Sequence, residues 1–394
     1  MRAPFLNRTT PPTILTLTLI AGLSALSMNV FLPSLPGMAQ HFGASYALMQ
    51  LSVTFYLAMT AALQIVIGPI ADRYGRRPVL LGSFAIFLVA TVGTIVAPTV
   101  EVFLVCRMAQ AAVASGTVLS RAIVRDMVSG PEAASMIGYV TMGMSLVPMV
   151  GPILGGVLDS AFGWQANFAV LLLAGLGVAA LVYLDLGETG QPGPRAGGQL
   201  RAFAALMRAR DFWLWSLTAG FASGAFFAYL AGVPDVGARI FGLGSTAVGM
   251  LFAATAVGYM GGNFIAARFS VRMGMGRMVL AGTGITTIAL ALLAVLSAAG
   301  ISGPVVFFAL TLFLGVGNGM TLPNANAGIV SVRPDLAGTA SGLGGAVMLG
   351  GGAALAALAG VALGQSTTEL PLVLLMLASS VASILTALPV ARNA

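Results

Sequence analysis

Apolar runs with few or no charges, long enough to cross a bilayer, recur along the whole of this chain. A hydrocarbon core about 30 Å thick takes roughly 20 residues of helix to cross. The runs fall at 14–35, 46–68, 79–97, 101–122, 134–156, 164–184, 212–233, 244–267, 278–299, 304–329, 339–363 and 369–390. In lipid each backbone N–H and C=O must be satisfied within its own segment, so runs of this length become helices. The pattern predicts an all-α membrane protein with twelve spanning helices. Composition excludes the soluble alternative: only 7% of the 394 residues are charged and 58% are hydrophobic, whereas soluble domains carry about 25% charge.

The basic residues are all arginines, without a single lysine, and their placement fixes a topology. With an even number of spans, one membrane face receives Arg2, Arg8, Arg73, Arg76, Arg77, Arg121, Arg125, Arg195, Arg201, Arg208, Arg210, Arg268, Arg272, Arg277, Arg333 and Arg392, which is 16 of the 18 basic residues. The other face receives Arg239, and Arg107 falls inside the fourth run. Basic residues accumulate on the cytoplasmic side, so both termini are expected in the cytoplasm of a multi-pass protein of the inner membrane. The formal charge of +7 is scattered between spans, which argues against nucleic acid as a partner and makes the bilayer the expected one. The first run continues to Leu35, past the core of a secretory signal, and is expected to be retained.

Between Asp185 and Arg210 the apolar pattern lapses into Gly187, Gly190, Pro192, Gly193, Pro194, Gly197 and Gly198 with four arginines. This reads as a linker over 187–210 between an N-terminal half, 1–186, and a C-terminal half, 211–394. Arg201 to Arg210 is expected to form a short amphipathic helix on the membrane surface. The halves repeat weakly. Gly262 to Arg268, then Arg272 and Gly276-Arg277, follow the eighth run much as Gly68-Pro-Ile-Ala-Asp-Arg-Tyr-Gly-Arg-Arg-Pro78 follows the second, but without the aspartate. Internal repeats are a construction rule of transporters, with substrate sites near the midplane.

One cysteine, Cys106, and one histidine, His41, leave no disulfide, metal-ligand spacing or nucleophile–base constellation. An enzyme and a bound cofactor are therefore not expected. Asp72, Arg73, Arg76 and Arg77 cannot sit in lipid and are expected in a short loop between the second and third helices. Gly68 suits close helix approach, Gly75 a tight turn and Pro78 the first turn of a helix. Asp126, in the next connection on the same face, is placed to pair with Arg76 or Arg77. Arg107 and Gln110 lie three apart and share one helix face. The polar and aromatic residues within the runs are the candidate substrate or coupling positions: Asn29, Tyr56, Arg107, Gln110, Tyr139, Tyr229 and Asn318.

Gly68 to Leu81 resembles the G-x-x-x-D-R-x-G-R-R signature of major facilitator superfamily transporters. That resemblance implies two six-helix halves rocking about a central site as a monomer. It also implies a gate formed by Gly68, Asp72, Arg73, Gly75, Arg76 and Arg77, with Asp72 against the N-terminal end of the eleventh helix near Gly338 and Thr339. Arg107-Met-Ala-Gln-Ala111 resembles the second motif of the superfamily. Pro148 to Gly156, with Gly151, Pro152, Gly155 and Gly156, resembles the third, which is associated with antiport, although Val147 stands where a further glycine is usual.

Asn29-Val-Phe-Leu-Pro-Ser-Leu-Pro36, Ser120-Arg-Ala-Ile-Val-Arg-Asp126, Leu322-Pro-Asn-Ala325 and Ala337-Gly-Thr-Ala-Ser341 are similar to motifs of the bicyclomycin/chloramphenicol-resistance drug efflux group. The resemblance implies export of small amphipathic compounds or drugs by proton antiport. The group has an aspartate where this chain has Asn29, which cannot titrate, and no other carboxylate lies deep in a run. A second reading therefore stands beside the first: a narrower metabolite or organic-anion exchanger or facilitator that needs no buried acid.

Overall fold

The computed structural model describes residues 12–128, 136, 140, 144, 147–190, 199–333, 336–364 and 366–392. The regular structure in these residues is helical, joined by short turns. Eleven helices are long and apolar enough to cross a membrane: α1 Ile14–His41, α2 Tyr46–Tyr74, α3 Arg76–Ile95, α4 Val100–Val124, α6 Gln165–Asp185, α7 Arg210–Ile240, α8 Ser245–Met273, α9 Met275–Ala298, α10 Pro304–Ser331, α11 Thr339–Leu363 and α12 Leu370–Ala391. Between α4 and α6, α5 is described over Val147–Phe162. Much of its expected first part, 134–146, lies outside the described residues. A linker helix, Gln199–Met207, precedes α7.

Local chemistry sets the ends. Ser45 caps α2 by accepting from the Leu48 N–H at 3.2 Å, and Thr99 caps α4 through the Val102 N–H at 3.5 Å. α1 is not one rod. It is α-helical only to Asn29, turns through a 3₁₀ segment at Leu32–Ser34, and resumes over Leu35–His41. Pro33 and Pro36 bring no N–H to the ladder, which is why the regular helix stops there.

One expectation needs correction here. The charged signature is not a loop. α2 runs on to Tyr74, α3 begins at Arg76, and the whole connection is Gly75. Asp72 and Arg73 therefore belong to the last turn of one helix, and Arg76 and Arg77 to the first turn of the next. Gly75 sits at φ 96°, a backbone state that only glycine adopts without strain.

Glycine sets how closely the C-terminal helices pack. A Cβ on Gly258 or Gly262 of α8 would strike the Leu312 or Val316 carbonyl of α10, and one on Gly315 or Gly319 of α10 would strike the Thr255 or Tyr259 carbonyl of α8. The two backbones touch along this interlocked seam, the usual substitute for hydrophobic driving force between helices in lipid. Gly284 on α9 has nothing within 4 Å of a Cβ position. Gly315→Val is therefore expected to destabilise the bundle by about 1–3 kcal/mol or more, whereas Gly284→Ala is expected to be neutral or slightly stabilising. Thermal unfolding of the two variants in detergent checks the contrast.

Candidate functional site

The interior of the N-terminal helices is organised around one cation. Arg107, about two turns into α4, is 0% exposed. Its Nη2 donates to the Ser27 carbonyl at 2.6 Å, and its Nη1 donates to Ser27 Oγ at 3.2 Å and Gln110 Oε1 at 2.8 Å. Gln110 Nε2 passes the chain on to Thr91 Oγ1 at 2.8 Å on α3. The guanidinium lies between two aromatic faces, 4.3 Å from the Phe31 ring centre and 4.1 Å from that of Tyr56.

Asparagine 29 ends the regular helix, and that explains the Ser27 contact. The last four carbonyls of a helix have no partner within it. Val30 N–H takes the Leu26 carbonyl at 3.0 Å, leaving the Ser27 carbonyl to Arg107. A helix C-terminus also carries about half a negative charge, which favours a cation. Each ring face contributes about 2 kcal/mol when desolvated. Together the two faces are comparable to the roughly 2.5–3.5 kcal/mol that an arginine costs inside a membrane. Arg107 thus stays buried and charged without a carboxylate beside it.

The other candidate substrate positions are dispersed. Asn29 lies beside Gly151, where a Cβ would be 3.4 Å from its own Cβ; its Nδ2 donates back to the Ala25 carbonyl at 2.7 Å, and its Oδ1 is buried without a partner among the described residues. Tyr56 joins the arginine cluster, its hydroxyl 3.4 Å from the Ser24 carbonyl. Tyr229 belongs to a separate group on α7, accepting from Thr255 Oγ1 at 2.9 Å and packing on Phe252. Asn318 is buried on α10. Tyr139 lies outside the described residues.

On the arginine-rich face, Arg76 pairs with Asp72 one turn before it and with Asp126 at 3.1 Å. Arg77 donates to the Tyr183 carbonyl at 3.1 Å and lies over the Tyr183 ring. Arg73 lies over the Tyr74 ring. Glu188 completes this knot. Its carboxylate accepts from the Arg76 N–H at 2.8 Å, the Arg77 N–H at 3.2 Å and the Gly190 N–H at 3.0 Å, capping the N-terminus of α3. A Cβ on Gly75 would meet that carboxylate and force it to shift, while the φ of 96° is what requires glycine. The sequence did offer a signal for Glu188, an acid just beyond the sixth run on a face full of arginines. Gly68 corrects its expected role: a Cβ there would meet nothing within 4 Å, so no helix approaches it closely among the described residues.

The Gly151 to Gly156 segment packs α5 on two sides. A Cβ on Gly155 would strike the Val30 carbonyl of α1. On the other side, Gly156 lies against the Ser245 carbonyl of α8, and Gly249 of α8 lies against the Pro152 carbonyl, in each case 2.5 Å from a Cβ position. Polar bonds join the N- and C-terminal helices on the face opposite the arginines. Ser245 Oγ donates to Asp159 at 2.5 Å, the Tyr46 hydroxyl to the Ala231 carbonyl at 2.7 Å, and Gln50 Nε2 to the Ala356 carbonyl at 3.0 Å. There Arg239 pairs with Asp235 at 2.5 Å and reaches the Leu363 carbonyl at 3.0 Å, joining the ends of α7 and α11.

Twelve helices, a broken first helix and a seam of small residues between two sets of helices define a membrane transporter. The profile of the Major Facilitator Superfamily matches residues 17–357, and the chain belongs to that family. It is 30% identical to the uncharacterized MFS-type transporter YdgK of Bacillus subtilis (strain 168), over 93% of this chain and 92% of that one. It is 34% identical to the chloramphenicol resistance protein of Pseudomonas aeruginosa, over 68% of this chain and 66% of that one. A bacterial homolog of the human lysosomal transporter Spinster, in an inward-facing and occupied conformation, shares the fold with a TM-score of 0.72 over 96% of both chains at 19% identity. The protein is a multi-pass membrane transporter of small molecules, related to drug-resistance proteins, and not an enzyme.

Two outcomes follow from this geometry. Arg107→Met leaves the Ser27 carbonyl and Gln110 Oε1 without their donor and is expected to cost on the order of 3 kcal/mol. Arg107→Lys keeps the charge without the planar fork and is expected to recover only part of it; thermal unfolding in detergent ranks the three proteins. Glu188→Ala removes the α3 cap and is expected to cost about 1 kcal/mol, seen as a lowered unfolding midpoint.

Proposed function

We propose that this protein exports small amphipathic compounds across the bacterial inner membrane by alternating access, with both termini in the cytoplasm. Residues 1–186 and 211–394 would move as the two bodies, with 187–210 as the linker between them. The observation that carries this reading is the seam itself. α5 meets α8, and α2 meets α11, through glycines set close against the facing helix and a few polar bonds, beside hydrophobic packing that is shared by the two sets of helices. The bonds at Asp159, Tyr46 and Gln50 would hold the outer side closed. The Asp72–Arg76–Asp126–Glu188 knot would be the cytoplasmic latch, with Asp72 also reaching the α11 N-terminus when that side closes. The chloramphenicol resistance relative supports a drug-like substrate, and Arg107, with no acid beside it, supports a neutral or anionic one over a cation.

Proton antiport is part of the proposal, and Asn29 cannot be the carrier. The buried carboxylates among the described residues are nearer the helix ends. Asp185 accepts from Thr16 Oγ1 at 2.5 Å, Asp235 is paired with Arg239, and Glu369 accepts from Ser297 Oγ at 2.7 Å. The reading is tested with purified protein in liposomes holding a pH-sensitive dye, given chloramphenicol as the first probe of a substrate panel. Drug movement with proton counterflow supports antiport. Drug movement without proton flux removes the coupling and leaves the facilitator reading. No movement of any amphipathic probe overturns the export proposal. Asn29→Asp is expected to add a pH-dependent step and to raise affinity for cationic probes.

A further inference from the structure

The same backbone turn occurs twice in this molecule with opposite chemistry around it. Gly75, between α2 and α3, stands at φ 96° and ψ 154°; Gly274, between α8 and α9, stands at φ 83° and ψ 151°. Superposing the two glycines puts Val271 in the place of Asp72, Arg272 in that of Arg73, Met275 in that of Arg76 and Gly276 in that of Arg77. In the first turn Arg76 is consumed by Asp72 and Asp126, and Arg77 by Tyr183. In the second turn the aspartate is gone, and Val271 in its place is 95% exposed. Arg268, Arg272 and Arg277 are exposed and have no bonded partner among the described residues.

Two more cations stand on the same rim. Leu206 of the linker helix is buried in an apolar cluster with Phe212, Trp215, Val279, Ala387 and Val390, and Ala209 and Met275 pack against that cluster. Ala209 lies between Arg208 and Arg210, and Met275 between Arg272 and Arg277, so both arginine pairs adjoin, in the chain, residues that pack on one buried apolar cluster. Arg208 and Arg210 are exposed and, like the other three, have no bonded partner among the described residues. Against these five cations the described residues of this face, from the linker helix onward, hold one acid, Asp211. Phe269, Val271 and Met273, exposed at 40%, 95% and 40%, alternate with the arginines. Exposed apolar side chains next to unpaired guanidinium groups fit the boundary between acyl chains and headgroups, where the fork of arginine grips phosphate.

We propose that this rim is a docking surface for the phosphate headgroups of anionic phospholipids in the adjacent leaflet. The C-terminal copy of the turn has exchanged an internal latch for a lipid contact, and it anchors the C-terminal helices while the N-terminal copy keeps its charges for itself. Basic residues at a membrane surface attract anionic lipid additively and within a Debye length, about 8 Å at physiological salt. The surface commits to lipid because its apolar residues would have no use for a free phosphate ion. This inference does not depend on which substrate is carried.

The test uses the purified full chain in detergent, titrated with dioleoylphosphatidylglycerol or dioleoylphosphatidylcholine, with lipid adducts counted by native mass spectrometry and the unfolding midpoint recorded. Phosphatidylglycerol is expected to bind and raise the midpoint where phosphatidylcholine does not. R208Q/R210Q/R272Q/R277Q is expected to weaken phosphatidylglycerol binding about tenfold or more. If that variant does not fold, R208Q/R210Q and R272Q/R277Q are measured separately, and each is expected to weaken binding about threefold. Equal binding of the two lipids, undiminished phosphatidylglycerol binding by the folded variants, or the same rise in midpoint with inorganic phosphate alone would overturn the proposal.

Discussion

A cation held by the end of a broken helix is the contact around which the N-terminal helices are arranged. Arg107 meets α1 where its regular hydrogen bonding stops, and it takes the carbonyl that the break leaves over. The interaction works because three weak devices coincide. The helix C-terminus is partly negative, the carbonyl has no competing donor, and two aromatic faces replace the solvation that lipid cannot give. Gln110 and Thr91 then carry the arrangement from α4 to α3. Four of the six helices on that side are thereby tied to the conformation of one turn, since Tyr56 supplies one of the two faces from α2.

Around this interior, glycines bring α5 and α8 close together. Where α5 meets α8, glycines face backbone rather than side chains, and the polar bonds nearby are single hydroxyl contacts. Glycine against backbone gives close van der Waals contact with little side-chain ordering. The charged knot at Gly75 has the reverse character. There one acid caps a helix, two acids hold one arginine, and the backbone state admits only glycine. The asymmetry between the two copies of the turn follows from the loss of acids in the second. Similar backbone geometry leaves its arginines exposed, with no bonded partner among the described residues.

The sequence alone determined what depends on periodicity and counting. Span number, arginine asymmetry, the shared face of Arg107 and Gln110, and the signature from Gly68 to Leu81 are all local patterns, and lipid enforces them because a span cannot leave backbone unsatisfied. The pairing of Arg76 with Asp126 was also within reach, as two opposite charges on one face. What only the tertiary structure decided are contacts between residues far apart in the chain. Ser27 and Arg107 are separated by 80 positions and Arg76 and Glu188 by 112, and no spacing rule predicts either. The single-residue turn was hidden for a related reason: charged residues read as a loop, yet a helix end at the headgroup level carries charge as readily as a loop does. Gly68 and Gly75 look alike in the sequence, but only the neighbours decide that one meets none of the described residues and the other a carboxylate.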